Sequence, residues 1–378
     1  MKYVFILAWL AVCGADAAMA QTASRRPPEL QKKLDDYHRA RKAFLAESEA
    51  YWNAIAERRR LRAQKRRNGE AITREDYVLT QPPVYTGPPR PVDPSIPERD
   101  ETIPPRKVIP VVADFLKAAR EHYNFVPDRP ASERDFKRAY VQTALASGLT
   151  REQIIRVYAF ETGGNGTYDM QAGVNPSKPD SRAISPAMGY NQLLATNTVS
   201  LFAGHGDDFV RALTQKAVQL DGAGKASLAR KIEVLRRMIA ASRTVPNRWA
   251  EHDKLADTPQ GYGMHAAVLD RDIGPLLQTQ KLLNSVSFAR QRGVKRALTG
   301  AELELMNFTG DGNGIDMVSM PQELREIVPT ANFFQQRGYE RNPVARRTGT
   351  VARLIADMDQ RMDRYSRNAG AKELMSHF

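Results

Sequence analysis

The sequence predicts a mainly α-helical protein. Three observations lead there: long stretches in which apolar residues recur three and four positions apart, capping signals that open several of them, and few of the alternating runs that mark strands. From Glu29 to Arg67 nothing breaks a helix, and Leu30, Leu34, Tyr37, Phe44, Tyr51 and Ile55 recur on a 4-3 spacing interrupted by Arg41 and Ser48. The spacing describes one amphipathic helix of ~40 residues, roughly 60 Å long, ended by Asn68-Gly69. Its last turns, Glu57 to Arg67, concentrate positive charge. They read either as a solvated helix end, where cations suit the dipole, or as a contact for an anionic surface.

Ten of the 23 prolines fall in residues 81–110. Such density forbids helix and central strand and favours an extended, semi-rigid linker, or a segment lying along the next domain. Beyond it the helical pattern resumes. Val111 to Tyr123 forms one helix; Ser132-Glu133-Arg134-Asp135 opens another that ends at Gly148; Thr150-Arg151-Glu152-Gln153 is a capping box opening a third, which stops at Thr162-Gly163-Gly164. Further helices are expected at 192–203, 207–220, 225–243, 275–292, 299–308 and 345–366. Residues 164–190, rich in Gly, Pro, Asn and Ser, read as loop or short hairpin.

The amino end reads as an export signal. Lys2 gives a positive start, Tyr3 to Val12 an apolar run, and Ala18-Met19-Ala20 a small-x-small cleavage site before Gln21. At ~10 residues the run is too short for a bilayer that needs ~20. Leu10-Ala11-Val12-Cys13 departs from a lipoprotein box at Val12. The expected organisation is therefore a signal peptide at 1–20, a basic helical region at 21–80, a Pro-rich linker at 81–110 and an α-helical domain at 111–378. The destination is the periplasm or the extracellular space, with no transmembrane segment in the mature chain.

Charge and cysteine content narrow the function classes. Lys and Arg total 56 against 43 Asp and Glu, a net charge of +13, and the single Cys13 excludes a disulfide framework. The excess charge suits an acidic partner, and the export signal argues against nucleic acid. No phosphate loop, Ser-His-Asp order or dinucleotide fingerprint appears, and no metal or other cofactor is expected. Asp311-Gly312-Asn313-Gly314-Ile315-Asp316 opens like a calcium loop and then departs from it at Ile315, Asp316 and Gln322, so it reads as a Gly-rich turn flanking substrate. His205, His252 and His265 lack ligand spacing and read as structural.

Glu161 is the candidate for chemistry. It lies in the last turn of the third helix, where the dipole opposes a negative charge, on the side of Ile154, Val157 and Tyr158. Both surroundings push a carboxyl upward in pKa, as a general acid near neutrality requires. Phe160-Glu161-Thr162-Gly163-Gly164, a loop, Ser185-Pro186-Ala187-Met188-Gly189-Tyr190-Asn191-Gln192-Leu193-Leu194 and then Thr196 together resemble the lysozyme-like superfamily, nearest to the soluble lytic transglycosylases. Tyr190 and Asn191 stand where that family has Leu and Met. Met306-Asn307-Phe308-Thr309-Gly310 is similar to its later aromatic-Asn-x-Gly signature, with Met for Tyr and one extra residue.

The resemblance implies a lysozyme-like helical core that binds peptidoglycan, or a related amino-sugar polymer, and cleaves its β-1,4 glycan strand. Glu161 would act as acid and then as base for the sugar's own 6-hydroxyl, leaving a 1,6-anhydro end. Ser185, Gly189, Tyr190, Gln192 and Asn307 would bind substrate: Gly189 by close approach, Gln192 through an acetamido group, Tyr190 by stacking unless it enters the core. Asp169 and Asp180 offer second carboxylates for ordinary hydrolysis, the alternative enzyme reading. The alternative outside enzymology is a wall-binding scaffold that keeps the fold without catalysis.

Overall fold

The computed structural model describes residues 27–92, 108–174 and 182–378; the expected export signal, part of the Pro-rich stretch and Asp180 lie outside them. The protein is mainly helical, 68%, with no strand among the described residues. These residues fall into two compact units. One holds 27–57 and 80–92, the other 58–79, 108–174 and 182–378.

The first helix, α1, runs Pro28–Asn68, one residue beyond the expected bounds at each end. In the smaller unit it buries Leu34, Trp52 and Ile55. The Pro-rich chain after Thr80 lies along it. Tyr51 donates its hydroxyl to the Thr80 carbonyl at 3.0 Å. Tyr85 meets Phe44 and Tyr37 edge-on at 5.4 and 6.3 Å, and the Arg41 guanidinium covers the Tyr85 ring at 5.3 Å. The prolines prevent regular structure and the aromatic contacts fix the path.

In the larger unit the end of α1 is a packed element, where solvation or surface contact was expected for 57–67. Arg62 is fully buried. It donates to Asp316 at 3.3 Å, to the Asp76 carbonyl at 2.9 Å and to the Asn332 carbonyl at 2.7 Å, with the rings of Tyr77 and Phe333 over its guanidinium. Arg66 also pairs with Asp316, and Lys65 with Asp76. A guanidinium fills such a site because each of its three nitrogens finds an oxygen.

The rest of the larger unit is a helical assembly around one apolar core. In order come α2 Val112–Tyr123, α3 Glu133–Ala146, α4 Arg151–Thr162, α5 Ala195–Val218, α6 Gly222–Ser242, α7 Trp249–Ala256, α8 Pro259–His265, α9 Ile273–Gln291, α10 Gly300–Thr309, α11 Asp311–Val318, α12 Gln322–Ile327, α13 Gln336–Glu340, α14 Pro343–Thr348, α15 Val351–Tyr365 and α16 Ala369–Met375. The two helices expected at 192–203 and 207–220 are the single α5. Gly206 does not break it: a Cβ there would meet Ile239 of α6 at 2.5 Å, so the glycine serves close packing between the two helices. The segment 311–316, expected as a turn, is the start of α11. Asp311 accepts from Ser285 at 2.6 Å and Asp316 is committed to Arg62 and Arg66, which removes both from any calcium loop.

Helix α4 is the element that carries the site. Its capping box is formed: Thr150 Oγ1 accepts from Gln153 N at 3.2 Å and Gln153 Oε1 accepts from Thr150 N at 2.9 Å. It packs against α10, α15 and α16 and buries Ile154, Val157 and Tyr158 completely. Gly163, at φ 67°, ends it in the left-handed region.

Candidate active site

Glu161 sits one residue before the end of α4, hemmed in by protein yet with part of its surface open to solvent. Asn307 of α10 donates its Nδ2 to Glu161 Oε1 at 2.6 Å. The same Nδ2 lies 3.3 and 3.4 Å from the two carboxylate oxygens of Glu304, one turn earlier on α10. Two carboxyls therefore converge on one amide. Glu304 is only 2% exposed, so Glu161 is the member that can reach a ligand.

The surroundings of α10 explain how it can place a carboxyl there. Thr299 caps it, with Glu302 closing the capping box and binding Arg296 at 2.6 Å. Ala301, Leu303, Leu305 and Met306 are all buried, so the helix runs through the interior and its polar residues must find partners inside the protein.

Burial pushes the Glu161 carboxyl upward, opposed by the positive charge of Lys281 and by the hydrogen bonds of Asn307 and Glu304. Glu304 is pushed well above the usual range, by burial first and then by the negative charge of Glu161, with Lys281 and Asn307 opposing. Two carboxyls sharing a donor cannot both ionise cheaply in such a place. The pair therefore holds a proton more tightly than separate glutamates do, and its titration belongs to both residues together.

The segment Met188–Leu193 is a tight antiparallel loop. Met188 N donates to Leu193 O at 2.9 Å and Leu193 N to Met188 O at 2.8 Å. Gly189 at φ 83° and Gln192 at φ 43° turn the chain. Gly189 is required twice over: a Cβ there would also lie 2.7 Å from Gln278 Oε1, the atom that accepts from the amides of Tyr190 and Asn191. On the same helix, α9, Lys281 Nζ donates to the Asn191 carbonyl at 2.8 Å.

The structure thus brings Glu161 and Asn307 into direct contact, while the loop of Gly189 and Gln192 is held from α9 by Gln278 and Lys281. Gln192 uses its amide nitrogen to bind Met170 O at 3.0 Å and Gly189 O at 2.9 Å, holding the loop closed. Tyr190, expected either to stack on a sugar or to enter the core, enters the core. It is fully buried against Phe136, Tyr140 and Tyr158, and its hydroxyl donates to Glu133. Ser185 Oγ accepts from Ala187 N at 3.2 Å and shapes the approach to the loop. Asp169 is paired with Arg129.

Glu304 and Lys281 escaped the sequence reading. Glu304 had a signal: it lies three residues before Asn307 on an expected helix and so shares its face. Lys281 had none, because its hydrogen-bond partner comes from the distant 188–193 loop. No group of three or more His, Cys, Asp or Glu side chains is arranged to hold a metal ion among the described residues. A cavity of about 350 Å³ between Arg66, Tyr77, Arg292, Ile315 and Leu324 does not include Glu161 in its lining. Compared with known proteins, the chain matches no family model, no curated protein and no solved structure.

Proposed function

We propose that the protein cleaves the β-1,4 glycan strand of peptidoglycan or a related amino-sugar polymer, as a lytic transglycosylase does, with Glu161 as the single acid and base. The observation that carries this reading is the partly open Glu161 carboxyl, held by Asn307 at 2.6 Å and paired with the buried Glu304. Such a pair binds its proton more tightly than an isolated glutamate does.

In the reaction Glu161 gives its proton to the bridging oxygen as the C1–O bond breaks and the bonding electrons leave with that oxygen. The sugar's own 6-hydroxyl oxygen then bonds to C1, and its proton passes to Glu161. A hydrolase of the ordinary kind needs a second carboxyl about 5–9.5 Å away, across the sugar. Glu304 is too close to Glu161 and too deeply buried for that task, and Asp169 is engaged with Arg129. Among the described residues, that leaves neither as the second carboxyl and favours the sugar hydroxyl over water as the attacking group; Asp180 lies outside them.

Purified peptidoglycan treated with the protein is expected to release fragments with 1,6-anhydro ends, identified by mass. Glu161→Gln is expected to lower the rate at least about 100-fold, the lower end of what general acid–base catalysis contributes, while polymer binding survives. Reducing ends would mean that water attacks. Binding without any cleavage by the unsubstituted protein would favour the scaffold reading, and full activity in Glu161→Gln would place the acid elsewhere.

A further inference from the structure

We propose that the cavity between the end of α1 and helices α9, α11 and α12 binds a small organic carboxylate with an apolar body, held at its charged end by Arg66 and Arg292. The inference stands apart from the reading of Glu161, which does not line this cavity.

Two guanidiniums define the charged end. Arg66, in the last turn of α1, donates Nη1 to Asp316 and keeps Nε and Nη2 without a hydrogen bond among the described residues. Arg292, just after α9, is fixed from two sides. Its Nη1 donates to the Arg66 carbonyl, and its guanidinium carbon lies 5.3 Å from the centre of the Phe288 ring. One guanidinium is thus anchored on the backbone of the other, and both line a cavity of about 350 Å³. Planar forks of this kind match the two oxygens of a carboxylate.

The charges around the cavity do not cancel. Asp316 Oδ2 accepts from Arg62 at 3.3 Å and also from Arg66, so two positive charges meet one negative charge. The other contacts of Arg62 are to the Asp76 and Asn332 carbonyls, which are neutral. Both Arg62 and Asp316 are enclosed, so water screens the excess poorly. Lys65 and Asp76 pair with each other. Glu70, the other carboxylate on the wall, is exposed and accepts from Asn68 at 2.7 Å. Counting Arg292 against Glu70 leaves the excess at one positive charge, which one carboxylate balances. The rest of the wall is apolar: Ile72 and Tyr77 after α1, Ile315 of α11 with Met320 beyond it, and Leu324 of α12. A volume of this size falls in the range of small-molecule sites, ~300–1,000 Å³, where apolar walls supply affinity and a few polar groups set orientation. An inorganic anion would leave those walls in water, whereas an alkyl body would cover them.

The test titrates sodium octanoate into full-length protein carrying carbon-13 at its Ile, Leu and Met methyl groups. Saturable shifts are expected at Ile72, Ile315, Met320 and Leu324. Octan-1-ol lacks the charge and acetate lacks the body, so each should bind at least about tenfold more weakly. Arg66→Gln and Arg292→Gln should each weaken octanoate about tenfold or more, the usual effect of losing a charged hydrogen bond. Arg292 is exposed and outside the Arg62–Asp316 network, so its variant decides the matter if Arg66→Gln does not fold. Leu324→Glu sets a negative charge on the apolar wall and should abolish binding.

Unchanged octanoate affinity in folded Arg292→Gln would overturn the proposal, because the guanidinium would then take no part. Octan-1-ol binding as tightly as octanoate would do the same. Acetate binding as tightly would show a plain anion site and refute the apolar body. Methyl shifts scattered outside the cavity, or none at all up to millimolar octanoate, would show that the cavity takes no such ligand.

Discussion

At the scale of single residues the site depends on a costly choice, the burial of Glu304 beside Glu161. A carboxyl whose folded pKa is raised binds its proton more tightly in the native state than in the unfolded chain. Its contribution to stability is present at low pH and is lost as pH rises through the folded value. Glu304→Gln keeps the shape and a donor toward Glu161, and it removes the ionisation that burial opposes. Its melting temperature is therefore expected to fall less than that of the unsubstituted protein between about pH 5 and about pH 9, measured by calorimetry. If glycan cleavage occurs, the same substitution should weaken it, which is the usual exchange between stability and activity at a strained site. The sequence showed half of this pair. Glu161 stood out because a helix end and a glycine pair mark it locally. Glu304 sits inside the run Leu303-Glu304-Leu305-Met306, where nothing local says that a carboxyl will be enclosed.

At the scale of elements, most helices were legible because their ends carry chemistry of their own. The capping box at Thr150 and the serine cap at Ser132 both formed where the residue pattern placed them. The failures have physical causes. The expected break between 203 and 207 does not occur, and Gly206 there gives Ile239, from a different helix, the space it needs. Asp311-Gly312-Asn313-Gly314 reads as a turn because its glycines disfavour helix, yet Gly314 lies against Met306, where a Cβ would come within 2.4 Å of the Met306 Cα. The loop at 188–193 permits a direct check. Gly189→Ala would force a side chain into positive φ and press on Gln278, which holds two loop amides. A loss of about 1–3 kcal/mol is expected in chemical denaturation.

At the scale of the whole molecule, the sequence suggested that residues up to Pro110 stand apart from the helical domain. The larger unit instead takes in residues 58–79, and its anchor is Arg62. Burial lowers the pKa of Arg62 and raises that of Asp316, so their attraction does not fully offset the loss of water. Arg62→Met would leave Asp316 with Arg66 alone, and the Asp76 and Asn332 carbonyls without their donor. A loss of about 3 kcal/mol or more is expected by urea denaturation, and a fragment beginning at Lys107 should melt well below the full chain. A long-range ion pair of this kind leaves no trace in periodicity or capping, which report on neighbours along the chain. It also sets a schedule for the newborn protein. Arg62 and Asp316 are separated by 254 positions. At about 5–20 residues per second, a ribosome needs roughly 10–50 s to supply the second after the first. For that interval the last turns of the amino-terminal helix have only their nearby partner Asp76, and the buried charge of Arg62 waits for its carboxylate.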